Sequence, residues 1–303
     1  MFQVSIHWMQ FTITENTHVQ ETIEELNYYL KSNFESVGHG ALGYESMNIG
    51  IAGARVLTSE KRPEHHVILP GEWCAAVGPE MCSILLGWVF GHNGHFTRLD
   101  LAGDDYSKKV KVKGVAIAIT KGQLVSHCHS AKRQNSLRGK PQDGVYIGSP
   151  KSRRILRVYD KNMESEGDTD AIRWELQLRD EAAGRAAELV LNSNLPDAYL
   201  AVLVGLADFR IVSNDNSARR PRTPWFKKLV GEAKKATLAL PKPVKTIDSM
   251  EKWIRKQVAP SLAAVVTARG GDLGVVEDLI HHGKRRMKSS HRLAIEAAKR
   301  NRL

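Results

Sequence analysis

The sequence predicts an α+β fold: a central, mainly antiparallel sheet flanked by helices, followed by an all-helical C-terminal region. Three observations predict it. MFQVSIHWMQFTIT, GHFTRLDLAGDD and two runs inside residues 144–181 alternate apolar and polar side chains with period 2, the mark of strands buried on one face. Apolar stretches with helical spacing lie between them. After a basic, Pro- and Asn-rich segment, RIVSNDNSARRPRTP, only helical patterns remain, so a boundary falls there and divides the chain into residues 1–213 and 214–303.

In chain order, the opening strand is followed by a helix over residues 17–34 with Thr17 as its N-cap, then a glycine-rich turn at Gly38 to Gly43. MNIGIAGARVLT and HHVILP read as strands. Pro70 opens a helix through GEWCAAVGPEMCSILLGWVF, on which Cys74 and Cys82 are small core residues. GHFTRLDLAGDD sets Asp100 on the face opposite Leu99 and Leu101, where a carboxylate is either the salt-bridge partner of a neighbouring arginine or a metal ligand. Asp104 and Asp105 cap the loop after it. VKVKGVAIAITKGQL is ambiguous between strand and short helix. LVSHCHSAKR read as a strand puts His127 and His129 on one face, and SLRGKPQDG is a polar turn. DEAAGRAAELVLNSN and LPDAYLAVLVGLADF are helices, the second started by Pro196. Four further helical segments finish the chain, WFKKLVGEAKKATLAL, SMEKWIRKQVAPSLAAVVTARG, GDLGVVEDLIHHG and SSHRLAIEAAKRNRL. The basic run HHGKRRMKSSHR among them is either a solvated polar face or a phosphate-contacting surface.

The composition is that of a soluble globular chain, 42% apolar and 25% charged. Its 44 Lys and Arg against 33 Asp and Glu give a formal charge of +11, which favours a polyanionic partner, nucleic acid foremost. Three cysteines without a CxxC spacing exclude a disulfide framework and a structural zinc site, and fit a reducing cytoplasm. The N-terminus lacks the pattern of a signal peptide, and no apolar run reaches the 18 or so residues that a bilayer requires.

Chemistry concentrates in residues 144–181. Period 2 places Arg153, Ile155, Arg157, Tyr159 and Lys161 on one face of the first run, and Arg173, Glu175, Gln177 and Arg179 on one face of the second. A carboxylate, a tyrosine and several cations on one side of a sheet suit phosphodiester chemistry. Arg157, Lys161 and Arg173 are the expected phosphate clamps or transition-state stabilisers, because a permanently charged group suits a phosphate. Arg153 and Arg154 are expected to grip DNA generally.

RLDLAGDD, VYIGSPKSRRILRVYDKNME and RWELQLRDEAA, in this order, resemble the three motifs of the replication initiation factor family, rolling-circle initiators of plasmids and filamentous phages and related relaxases. The resemblance covers about residues 94 to 230. It implies a fold related by rearrangement to the HUH nuclease sheet, with carboxylates in place of the two histidines. It also implies an enzyme that nicks one DNA strand at an origin through a tyrosine, becomes joined to the 5′ phosphate, leaves a 3′ hydroxyl and later rejoins the strand. Asp100 and Glu175 match the family's acidic ligands for Mg²⁺ or Mn²⁺, with Asp104 in reserve. Where some members carry another carboxylate this chain has Gln177, which keeps open a non-catalytic origin-binding regulator. A conjugative relaxase with the same chemistry is the other alternative. The nucleophile is expected downstream of Glu175, which selects Tyr199; Tyr159 ranks second and Tyr146 third. Against Tyr199 stands its place in an amphipathic helix, where a tyrosine commonly packs. His127 and His129 echo the paired histidines of HUH enzymes as a rival metal site, or are ordinary surface histidines. Origin DNA, a host helicase and polymerase, and a second copy of the chain are the expected partners, in the cytoplasm of a bacterial host.

Overall fold

The structure is a computed structural model and describes residues 2–14, 19–30, 33–137, 140–165, 167–231 and 254–287, with a few isolated positions besides. By its internal contacts the chain divides into a compact unit Met1–Leu238 and a second unit Ala239–Leu303.

Ten strands of the first unit form one sheet: β1 (Gln3–Ile13), β2 (Glu35–Val37), β3 (Ser46–Ile49), β4 (Arg55–Thr58), β5 (His65–Leu69), β6 (His95–Asp105), β8 (Ala131–Leu137), β9 (Lys140–Ile147), β10 (Arg154–Asp160) and β11 (Ile172–Arg179). Their order is β2-β3-β4-β5-β1-β6-β11-β10-β9-β8, and each neighbouring pair is antiparallel. Two short strands, β7 (Leu124–Val125) and β12 (Asp208–Phe209), pair separately. The expected α+β class with an antiparallel sheet is what the chain adopts.

Alternation explains which face is covered. Leu99 and Leu101 of β6, Leu156 and Val158 of β10, and Trp174, Leu176 and Leu178 of β11 point into the main core. There they meet α1 (Val19–Leu30), α2 (Gly71–Gly91), α3 (Val112–Thr120), α5 (Glu181–Asn192) and α6 (Leu195–Leu206). Each such side chain withdrawn from water stabilises the fold by roughly 1.5–3 kcal/mol. In α5 four of the buried residues are small, Ala182, Ala183, Ala186 and Ala187, with Val190 beyond them, which lets most of the helix lie close. The opposite face of β11 is also buried, although its side chains are Arg173, Glu175 and Gln177. They are covered by one another and by β6, β10 and β1, so this polar face is itself a packed layer.

Several expectations are sharpened. The ambiguous VAIAIT segment is α3, whose Val112, Val115 and Ala118 at helical spacing seat on the core; its β-branched residues misled because burial outweighs propensity. LVSHCHSAKR is not one strand: β7 ends at Val125, and β8 starts at Ala131. The turn expected over SLRGKPQDG is shorter, since Lys140 to Ile147 already belong to β9. α2 is broken at Gly78, whose φ of 83° lies in the left-handed region, just before Pro79. By length and composition α2 could cross a membrane, but it seats Trp73, Cys74, Cys82 and Leu85 in the core. By internal contacts the first unit extends to Leu238. The segment after β12 folds back: Arg210 and Arg222 both bind Asp208, and α7 (Pro224–Val230) buries Phe226 beside Phe209. In the second unit α8 (Ala259–Ala268) and α9 (Gly274–Arg285) are helices as expected, whereas most of GEAKKATLAL and of SSHRLAIEAAKRNRL lies outside the described residues.

Candidate active site

β6, β11 and β10 lie side by side at the middle of the sheet, and their register assembles the site. Asp100 is opposite Gln177, Ala102 opposite Glu175 and Asp104 opposite Arg173; across the other edge of β11, Arg157 is opposite Glu175 and Tyr159 opposite Arg173. Because side chains alternate, all of these share the face away from the helices.

The two carboxylates meet at one guanidinium. Arg157 Nη2 donates to Glu175 Oε1 at 2.6 Å and to Asp100 Oδ2 at 3.3 Å, and Tyr159 Oη donates to Glu175 Oε2 at 2.7 Å. Arg98 grips Asp100 from the other side through Nε (3.0 Å) and Nη2, and lies over the Trp8 ring at 4.5 Å. With its amide oxygen turned to Arg98, Gln177 accepts from Nη2 at 2.9 Å and Nε at 2.8 Å, so this amide steadies the arginine that steadies Asp100. Asp104, the reserve ligand, is held by Arg173 in a two-point pair, 2.7 Å on each oxygen. Such a fork leaves it a structural partner of Arg173.

Burial sets the electrostatics. It pushes the Asp100 carboxyl up to about 6, against Arg98, with the Glu175 charge adding to the rise. Burial raises Glu175 too, but Arg157, His7, the Tyr159 hydrogen bond and Arg173 outweigh it, and Glu175 stays below the usual carboxylate range. The phenol of Tyr159 is raised by burial and by the Glu175 charge, so it rests protonated. Arg157 keeps a buried Nε with no acceptor among the described residues. Beside it opens a cavity of about 440 Å³ whose walls include Lys132, Tyr146, Arg157, Gln177 and Arg179.

The expected face is therefore assembled around Arg157, Tyr159, Arg173, Glu175 and Asp100. The ends of the expected runs lie elsewhere. Lys161 begins the one-turn α4 (Lys161–Glu164) and pairs with Glu164, while Arg153 lies before β10 and pairs with Glu181. Tyr199 requires a correction. It lies fully buried on the helix side of the sheet, its hydroxyl donating to the Trp174 carbonyl oxygen at 2.9 Å and its ring over Gly103, where a Cβ would stand 2.5 Å from it. Burial raises its phenol well above the ordinary value. A phosphodiester on the carboxylate face has no path to that oxygen. His127 and His129 line a separate cavity of about 340 Å³ with Ser149 and Arg154.

Arg98 is the neighbouring arginine that the sequence offered as a salt-bridge partner of Asp100; His7 and Trp8 were not found by sequence reasoning. β1 slips register against β6 between Ile6 and Trp8, so His7 is the extra residue of a bulge, and its ring comes within 3.4 Å of Arg173 Nη1. A bulge breaks the alternation by which faces are read. Gly71 at the start of α2 presses on that ring, leaving no room there for a Cβ. Burial lowers the His7 pKa, against the pull of the Glu175 charge.

Comparison with known proteins bears on the family and on the fold. A family model described as replication initiation factor matches residues 94–282. A rolling circle replication initiator protein from Geobacillus stearothermophilus superposes with a TM-score of 0.66 at 20% identity, over 79% of this chain and 99% of that one. No curated protein sequence matches the chain significantly.

Proposed function

The chain belongs to the replication initiation factor family, and on that premise we propose that it starts rolling-circle replication by nicking one DNA strand at an origin and later rejoining it. The observation that carries the chemistry is the contact of 2.7 Å between Tyr159 and Glu175, a nucleophile and a base within hydrogen-bond reach. A phenol that rests protonated needs a base at the moment of attack. Tyr159 Oη attacks phosphorus and passes its proton to Glu175. The bond from phosphorus to the 3′ oxygen breaks, that oxygen takes up a proton from water, the 5′ phosphate stays on the tyrosine, and Glu175 returns its proton to solvent. The reverse transfer rejoins the strand without ATP, because the phosphotyrosine conserves the bond energy.

Arg157 and Arg173 stand on the same face to neutralise charge that grows on the phosphate oxygens, and the free Nε of Arg157 offers a further donor. Lys161 lies one residue beyond that strand, where it grips the flanking backbone. Tyr146, opposite Arg157 in β9, is the second candidate nucleophile because it borders the open cavity.

Mg²⁺ or Mn²⁺ is the proposed cofactor. Carboxylate oxygens suit a hard cation, and here an oxygen from Asp100 and one from Glu175 already converge on a single positive partner, so the donor set fits once Arg157 turns to the phosphate. No cluster of three or more His, Cys, Asp or Glu side chains stands ready among the described residues. When bound, the cation would be held by Asp100 and Glu175 and would polarise the scissile phosphate. The enzyme acts in the cytoplasm on origin DNA, with a host helicase and polymerase downstream.

The test is to incubate the protein with supercoiled or single-stranded cognate origin DNA and Mg²⁺ or Mn²⁺, then resolve the products on a denaturing gel. A covalent protein–DNA adduct whose peptide carries Tyr159 is expected. Absence of any adduct with cognate DNA leaves an origin-binding regulator, and an adduct at Tyr146 moves the nucleophile one strand over.

A further inference from the structure

At the end of β6 the chain turns a second carboxylate to the other side of the sheet. Asp105 is 1% exposed, and its Oδ1 accepts from the Ser107 amide at 3.0 Å and the Ser107 hydroxyl at 2.5 Å. Its Oδ2 is buried without a hydrogen-bond partner among the described residues. A buried, unmatched carboxylate oxygen is costly, and the usual resolution is a donor supplied from outside. Beside it lies a cavity of about 180 Å³ that Asp105 lines together with Ser107, Lys109, Trp225, Lys228 and Leu229. Trp225 is half-buried, its indole supported by Phe209 (ring centroids 4.9 Å apart) and Phe226 (5.4 Å). Lys109 and Lys228 are exposed on the cavity's margin.

These four features match one ligand. A flat ring of modest size fits the cavity and stacks on a braced indole; an amino group on that ring supplies the hydrogen that Asp105 Oδ2 lacks; and anionic linkages on either side meet the two lysines. We propose that this cavity receives a single unstacked DNA base bearing an exocyclic amino group (cytosine, adenine or guanine, not thymine) next to the strand held for nicking. Asp104, the residue before Asp105, pairs with Arg173 on the catalytic face, so the cavity and the carboxylate site are opened from opposite sides of one strand end. An aspartate accepting from a base amino group discriminates against a base that lacks one, and aromatic stacking adds affinity for any base. The pocket thus reads sequence where the arginines of the catalytic face read only phosphate.

The inference rests on the proposed action on DNA, and the experiment separates the two. The full-length protein is titrated by fluorescence anisotropy with short single-stranded oligonucleotides of dC, dA, dT and N4,N4-dimethyl-dC. Binding of dC and dA at least five-fold tighter than dT, with dC affinity lost to the same degree on dimethylation, is expected. Equal binding of all four overturns the pocket and leaves DNA binding intact; no binding of any oligonucleotide sinks the DNA reading itself. Asp105→Asn retains the Ser107 contact but presents an amide, so it should shift preference toward dT, whose carbonyls can accept. An unchanged order of preference in a folded Asp105→Asn protein overturns the assignment, and the dimethylated oligonucleotide gives the answer on wild type should the variant fail to fold.

Discussion

Asp100 and Glu175 share Arg157, yet burial leaves them with opposite shifts, and this fixes the pH behaviour of the site. Asp100, pushed up to about 6, holds a proton in the folded chain that the unfolded chain has already released. Its contribution to stability therefore declines as pH rises from the ordinary aspartate value through about 6 and is level above it. Glu175 runs the other way: depressed in the fold, it stabilises above its unfolded value and loses that as pH falls. Single-turnover nicking should consequently show an acid limb near pH 6, as Asp100 loses the charge that aligns Arg98 and Arg157; a rate flat from about pH 5 to 8 contradicts this. Arg157→Met removes the cation between two buried carboxylates and should cost about 3–5 kcal/mol, read as a lower melting midpoint that recovers at acid pH. The residue types of this face were legible because β10 and β11 alternate cleanly. The pairing of Arg98 with Gln177 and the place of His7 were not, since the first depends on which strand β11 sits beside and the second on a bulge.

Among elements, α6 and β6 carry the clearest lesson. LPDAYLAVLVGL read as an amphipathic helix, and so it is, but sequence does not say which sheet face a helix covers. Tyr199 enters the core through the gap left by Gly103, and its hydroxyl finds the Trp174 carbonyl, a satisfied buried tyrosine. Tyr199→Phe should therefore still form the covalent adduct and lose only about 1 kcal/mol of stability. Gly103→Val places side-chain atoms against that ring, and a loss of about 1–3 kcal/mol in denaturant unfolding is expected. The helix α3 was hidden for a different reason: its β-branched residues favour a strand in isolation, whereas Val112, Val115 and Ala118 at helical spacing are buried in the core.

For the whole molecule, charge and motif order carried further than periodicity. The +11 balance and three motifs in sequence pointed to DNA and to the family before any strand order was known. The order β5-β1-β6-β11 was beyond reach, because it places strands together that are far apart in the chain, whereas β10 and β11 follow one another. Phosphate contacts by arginine and lysine predict that affinity for single-stranded DNA falls at least about tenfold between 50 and 200 mM salt, measured by titration. Since α7 closes the first unit, a chain ending at Leu238 should unfold as one cooperative transition, whereas one ending at 213 should not.

The place of β1 also sets a schedule. Its partners are β5 and β6, and β6 in turn awaits β11, so Asp100 and Glu175 become neighbours only after residue 179 has left the ribosome. Non-local pairings of this kind form late and slowly. The carboxylate face is thus assembled only once β11 has been made and has paired with β6.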